Sequence, residues 1–158
     1  SMYVNGSTHG AIACGHLITN NWFGTLGEYD SSISAGQDTT GSGGQVVIAA
    51  GTTRFVENHI QPVYTGGQNL HLAGKRNIVL FNHIAHGGSY GMEMSEDNQV
   101  FSGNLVYWND AKSSSTSSFN IQSGVDRAVV AANRGGNRGS IGDSSTNSSV
   151  GNNELGSL

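Results

Sequence analysis

His71 and Glu93 stand 22 residues apart, an interval that matters only if the chain repeats with that length. If it does, a carboxylate lies beside an imidazole, which is a general acid–base pair by geometry. The same pair can instead bind a ligand without chemistry, or be a cross-strand polar contact that stabilises the outer face of a sheet. Gln122 falls in the same register, eleven residues before a recurring asparagine. Glu96 and Asp97, in "SEDN", follow Glu93 closely. Two carboxylates can run glycoside hydrolysis, their separation setting its stereochemical course, or they can be a solvated turn. Glu28 and Asp30 form a second, weaker pair.

The aromatic residues Trp22, Phe23 and Tyr29, then Tyr64, then Tyr90, then Tyr107 and Trp108 follow His16, Asn58, Asn82 and Asn104 in turn. Aromatic faces in a row suit sugar rings, whose C–H bonds pack against a π-face while hydroxyls bond polar neighbours. Tyr64, Tyr90 and Trp108 read as a corner groove, with Tyr107, Trp22 and Gln122 beside it; otherwise the rings pin down their own loops. His59 and His83 fall at equivalent positions, but no third ligand accompanies them, so no metal site is expected. "GSGG" and "TGGQ" lack the lysine and following helix of a phosphate loop.

These residues need a repeating scaffold, and the sequence contains one. The segments "RFVENHI" (54–60), "IVLFNHI" (78–84), "VFSGNLV" (100–106) and "VVAANRG" (129–135) superpose on Asn58, Asn82, Asn104 and Asn133. Two weaker copies flank them, "IACGHLI" with His16 in the asparagine position and "SVGNNEL" with Asn153. Three residues before the anchor stand Ala13, Phe55, Val79, Phe101, Val130 and Val150; two after it stand Ile18, Ile60, Ile84, Val106, Gly135 and Leu155. Twelve before it stand Val46, Leu70, Met92, Ile121 and Ile141. Near-uniform apolarity in three columns, with no 3.6-residue period, predicts short stacked strands. No coil can bury its own apolar face, and stacking does so. An asparagine amid such columns is satisfied if its amide bonds the asparagine one coil away.

The expected fold is all-β: a right-handed, single-stranded parallel β-helix, or solenoid, of about six coils, spanning 1–158 as one domain of a longer chain. Ser1-Met2 reads as a cloning remnant, 19–44 as a long insertion loop and 107–118 as a shorter one. Gly, Ser and Asn together supply 61 of 158 residues, which suits tight turns. A net charge of −4 with seven scattered Lys and Arg argues against a nucleic-acid partner. No run is long and apolar enough for membrane insertion. The single Cys14 excludes an internal disulfide.

The I-x-x-N-x-I pattern, repeated across residues 11–155, resembles the pectate-lyase-like superfamily of parallel β-helices. That resemblance implies a fold shared by pectate lyases, polygalacturonases, epimerases and bacteriophage tailspikes and fibres, and fold alone does not select among them. The Asn-x-Asp, Asp-Asp and Gly-His-Gly motifs of polygalacturonase-like members are missing. For the calcium chemistry of pectate lyases only "SEDN" offers clustered carboxylates, so no cofactor is expected and calcium has little support. The outward positions Ile78, Val100 and Val129, with Val56, Leu80 and Ala131, are apolar and call for a cover, which an insertion loop or, more economically, lateral packing as a homotrimer would supply.

The leading expectation is recognition of a bacterial surface polysaccharide by a phage tailspike or tail fibre, a virion or extracellular protein, with depolymerase activity an open question. The alternatives are a stand-alone polysaccharide lyase or hydrolase and the spacer of an adhesin.

Overall fold

A computed structural model describes residues 2–4, 15–23, 46–60, 68–86, 90–108, 117–136 and 141–156. They form a parallel β-solenoid with no helix, built as three sheets of six strands each. Sheet A holds Met2–Val4, Val46–Ile48, Gln68–Leu72, Tyr90–Met94, Ser117–Ile121 and Ile141–Asp143. Sheet B holds Leu17–Thr19, Arg54–Val56, Ile78–Leu80, Val100–Ser102, Val129–Ala131 and Ser149–Gly151. Sheet C holds Trp22–Phe23, His59–Ile60, His83–His86, Leu105–Trp108, Arg134–Gly136 and Glu154–Gly156. The chain visits A, B and C in turn, and every strand pairs in parallel with the strand three places further on.

Strands this short persist because each turns alternate residues inward to one shared core. Val46, Leu70, Met92 and Phe119 line it from sheet A, Phe55, Val79, Phe101 and Val130 from sheet B, and Ile60, Ile84 and Val106 from sheet C, all buried. Phe101 meets Phe119 edge to face at 5.4 Å. Ile18 and Phe23 pack partly buried at one end.

The asparagine ladder runs along the corner between sheets B and C. Asn58, Asn82, Asn104 and Asn133 are buried. The backbone N–H of Asn58 donates to Asn82 Oδ1 at 2.8 Å, that of Asn82 to Asn104 Oδ1 at 2.8 Å, and that of Asn104 to Asn133 Oδ1 at 2.9 Å. Each Nδ2 donates to a neighbouring Oδ1 and to nearby carbonyls, as Asn82 does to Leu80 and Phe55. Asn153 continues the ladder beyond Asn133.

The structure corrects the register in two places. At the first repeat the ladder position belongs to Asn21, whose N–H donates to Asn58 Oδ1 at 3.0 Å. His16 lies exposed before the strand, its carbonyl accepting from Arg54. Ile18 accordingly pairs with Phe55, and Thr19, Trp22 and Phe23 are strand residues inside the stretch expected as a loop at 19–44.

In sheet A, Met92 pairs with Phe119, and Ile121 pairs with Met94. The column at Val46, Leu70 and Met92 therefore continues through Phe119 and then Ile141. Two extra residues sit in the turn after Ile121, around Gly124 at φ +90°. A slip of two keeps every side chain on its face, so an apolar test could not detect it.

Candidate functional site

The outward face of sheet A carries the polar side chains. One column runs Val47, His71, Glu93, Asn120 and Gly142, each paired with the next. His71 and Glu93 are brought side by side, as their spacing implied. Asn120 takes the position expected for Gln122, which is exposed two residues further on, diagonally across from Glu93. The signal for Asn120 was present in "SSFNI", but only the true register puts it beside Glu93.

Glu93 is 4% exposed although it lies on the outward column. Its Oε1 accepts from Asn120 Nδ2 at 2.8 Å. A buried carboxyl group is costly unless hydrogen-bonded, and this contact supplies a partner and fixes the side-chain direction. His71 Nε2 lies 2.9 Å from Ser95 Oγ, a partner the sequence did not single out. The contact is diagonal, because Ser95 follows the strand Tyr90–Met94 and its N–H donates to Leu72 O at 3.1 Å. His71, Ser95 and Asn120 are half-buried.

Along the same face, two residues before this column, Asn69, Gly91 and Ser118 are buried. Two residues after it, Ala73 and Ser95 are half-buried and Gln122 is exposed. The Glu93 column thus follows the boundary between a covered and an open strip. Ser118 is fully buried on the covered side, and its Oγ makes no hydrogen bond among the described residues.

Glu96 and Asp97 sit in the turn that follows, where both approach Lys75, at 3.6 and 3.0 Å. Asp97 Oδ1 also accepts from the N–H of Asp126 at 2.9 Å. The Lys75 hydrogen bond, then that backbone contact, hold Asp97 below its ordinary pKa, and Asp97 in turn raises Lys75. These carboxylates brace the turn between successive coils.

A second outward column occupies sheet C. Trp22, 68% exposed, stacks on His59 with ring centroids 4.1 Å apart, and His59 meets His83 edge to face at 4.6 Å. Burial lowers the pKa of both imidazoles, and His59 lowers that of His83 further. Among the described residues no three His, Cys, Asp or Glu side chains converge as a metal site.

Of the corner aromatics, Tyr90 opens its sheet A strand half-buried, paired with Gln68 and Ser117. Tyr107 and Trp108 end a sheet C strand, within the stretch expected as a loop at 107–118; their side chains lie outside the described residues. Tyr64, Tyr29, Glu28 and Asp30 also lie outside them. No family model, no curated protein and no solved structure matches this chain.

Proposed function

We propose that this solenoid recognises an extended polysaccharide along the outward face of sheet A, as the glycan-binding portion of a phage tailspike or fibre. The observation that carries the reading is Glu93: a carboxylate 4% exposed and oriented by Asn120, on the open edge of a row that also presents His71 and Ser95. Successive coils are about 4.8 Å apart, close to the length of one pyranose ring, so a sugar chain lying along the solenoid axis passes polar side chains at three successive coils, those of His71, Glu93 and Asn120. Prearranged donors and acceptors at that spacing suit hydroxyls and cost little ordering on binding.

The test is binding of purified bacterial surface polysaccharides to the immobilised chain. Asn120→Ala removes the donor that orients Glu93, and should weaken binding by about tenfold, the worth of one hydrogen bond to a charged group. Unchanged affinity for every bound glycan would move the site elsewhere, with the exposed Trp22 face the next surface to examine.

A second reading concerns association, and rests on sheet B. Its outward residues Ile78, Val100, Val56, Leu80 and Ala131 are half-buried, while Leu17 is 69% and Val129 37% exposed. An apolar stripe of this kind fits lateral packing of three copies. Leu80→Lys with Val100→Lys should then dissociate the oligomer while leaving the β circular-dichroism signal. A wild-type chain that sediments as a monomer at tens of micromolar would rule this packing out and favour a stand-alone enzyme or a spacer.

A further inference from the structure

The geometry points to acyl transfer at Ser95: we infer that Ser95 and His71, beside Glu93, form an esterase site that removes ester-linked acyl groups from a polysaccharide lying on sheet A. The inference rests on the glycan-binding reading for its substrate and on the side-chain geometry alone for its chemistry.

Nucleophilic catalysis by serine needs a base within hydrogen-bond reach of the hydroxyl and a further group near that base. Ser95 Oγ lies 2.9 Å from His71 Nε2. Glu93 is the register partner of His71 on the adjacent strand, and Asn120 fixes its carboxylate. The Ser95 backbone is itself pinned, its N–H donating to Leu72 O. Ser95 and His71 are only half-buried, so an ester on a bound chain can reach them, while Glu93 behind them is nearly shielded from water.

The arrangement occurs at one step of the sheet. The same diagonal joins Val47 to Ala73, Glu93 to Gln122 and Asn120 to Ser144, none of which pairs a nucleophile with a base. A serine hydroxyl serving only to satisfy the turn has Leu72 O available, yet that contact is 3.5 Å against 2.9 Å to the imidazole.

With the ring proton on Nδ1, His71 Nε2 accepts the Ser95 proton as Oγ bonds to the ester carbonyl carbon. The resulting imidazolium sits next to the Glu93 carboxylate. The tetrahedral intermediate collapses by breaking its bond to the sugar oxygen, and that oxygen takes the proton back from His71. Solvent water then attacks the acyl-serine, again giving a proton to His71. The carboxylic acid leaves as Ser95 Oγ recovers that proton. One ester and one water become one alcohol and one acid.

Incubating the chain with a fluorophosphonate, followed by peptide mass spectrometry, should place the adduct on Ser95, and His71→Gln should abolish it. Hydrolysis of p-nitrophenyl acetate should fall by about a hundredfold in Ser95→Ala and in His71→Gln, with circular dichroism confirming the fold. Glu93→Gln should lower kcat on this small ester while leaving KM unchanged, since a residue acting through His71 does not touch the substrate. No adduct on Ser95, or equal hydrolysis by Ser95→Ala and wild type, overturns the inference. Glycan binding by the unaltered chain is scored separately. A labelled Ser95 with no glycan bound would refute the surface reading and leave the esterase standing, and bound glycan with an unlabelled Ser95 would do the reverse.

Discussion

Two corners of the solenoid share one backbone solution and differ in the side chains that carry it. At the corner between sheets B and C, the residues before the ladder (Asn20, Glu57, Phe81, Gly103, Ala132 and Asn152) all have φ between 53° and 66°. The corner between sheets A and B repeats this, with Thr52, Arg76, Asn98, Arg127 and Asn147 at φ 54° to 61°. Each left-handed residue is followed by one that must bond the next coil. At the first corner that residue is always asparagine. At the second it is Thr53, Asn77, Gln99, Ala128 or Ser148, and the acceptor is Asn77 Oδ1 for Thr53 N–H, Gln99 Oε1 for Asn77 and Ser148 Oγ for Ala128.

The difference lies in what each side chain must satisfy. At the asparagine corner a single amide accepts from the previous coil's N–H and donates to carbonyls of its own coil and the previous one; only a side chain of that length with both functions does this. At the other corner the chief requirement is one acceptor within reach of an N–H, so amides and a hydroxyl serve alike, and alanine is tolerated at one step. Gln99, one methylene longer, also bonds Gly74 O, a glycine whose added Cβ would lie 2.3 Å from Ala50 O.

The largest expected effect comes from breaking the uniform ladder. Asn82→Ala leaves Asn58 N–H without its acceptor and takes the amide donor from Phe55 O and from Leu80 O, which keeps only the N–H of Glu57, and should cost about 3 kcal/mol in urea denaturation. Asn77→Ala at the mixed corner removes the acceptor for Thr53 N–H and one of the two donors to Gly74 O, Gln99 remaining as the other, and should cost about 2 kcal/mol. Equal losses at the two corners would erase the distinction between them.

Gly103→Ala tests the turn residue itself. It places a Cβ 2.6 Å from the Phe81 ring at φ +66°, and should cost about 1–2 kcal/mol. Part of that loss should be recovered in a Phe81→Ala background, since the ring is exposed; a strictly additive double mutant would show backbone strain alone at work. The smallest effect has the opposite sign. Ala132 holds φ +55°, so Ala132→Gly should stabilise by about 0.5 kcal/mol, less than the full relief because glycine loses more entropy on folding.

A pH experiment distinguishes the sheet C column from the turns. His59 and His83 resist protonation in the folded state, so the unfolded chain binds more protons below its ordinary imidazole pKa of about 6.5. Stability should therefore fall as pH drops from 7 to 5, and a His59→Gln, His83→Gln double variant should flatten that slope. Asp97, held below 3.8, contributes in a lower window: its stabilisation is present above that value and is lost as pH falls through the folded pKa. A slope unchanged by the double variant would mean that neither imidazole is held neutral.

The sequence by itself determined the solenoid, the asparagine ladder and the juxtaposition of His71 with Glu93. These follow from periodicity, because stacked coils repeat the same environments and the residue types filling them are few: an inward apolar side chain, or an amide that bonds its own copy. The mixed corner left no such trace, since several residue types meet its single requirement and no column stands out. Tertiary structure alone decided that Asn21 rather than His16 begins the ladder, and that Asn120 rather than Gln122 meets Glu93. In both places the interval between coils is irregular, and counting residues cannot say on which side of a strand the extra ones lie. It also decided the contact of Ser95 with His71, a diagonal between neighbouring strands, because a hydrogen bond of that kind depends on side-chain direction and strand register together, and a linear pattern records neither.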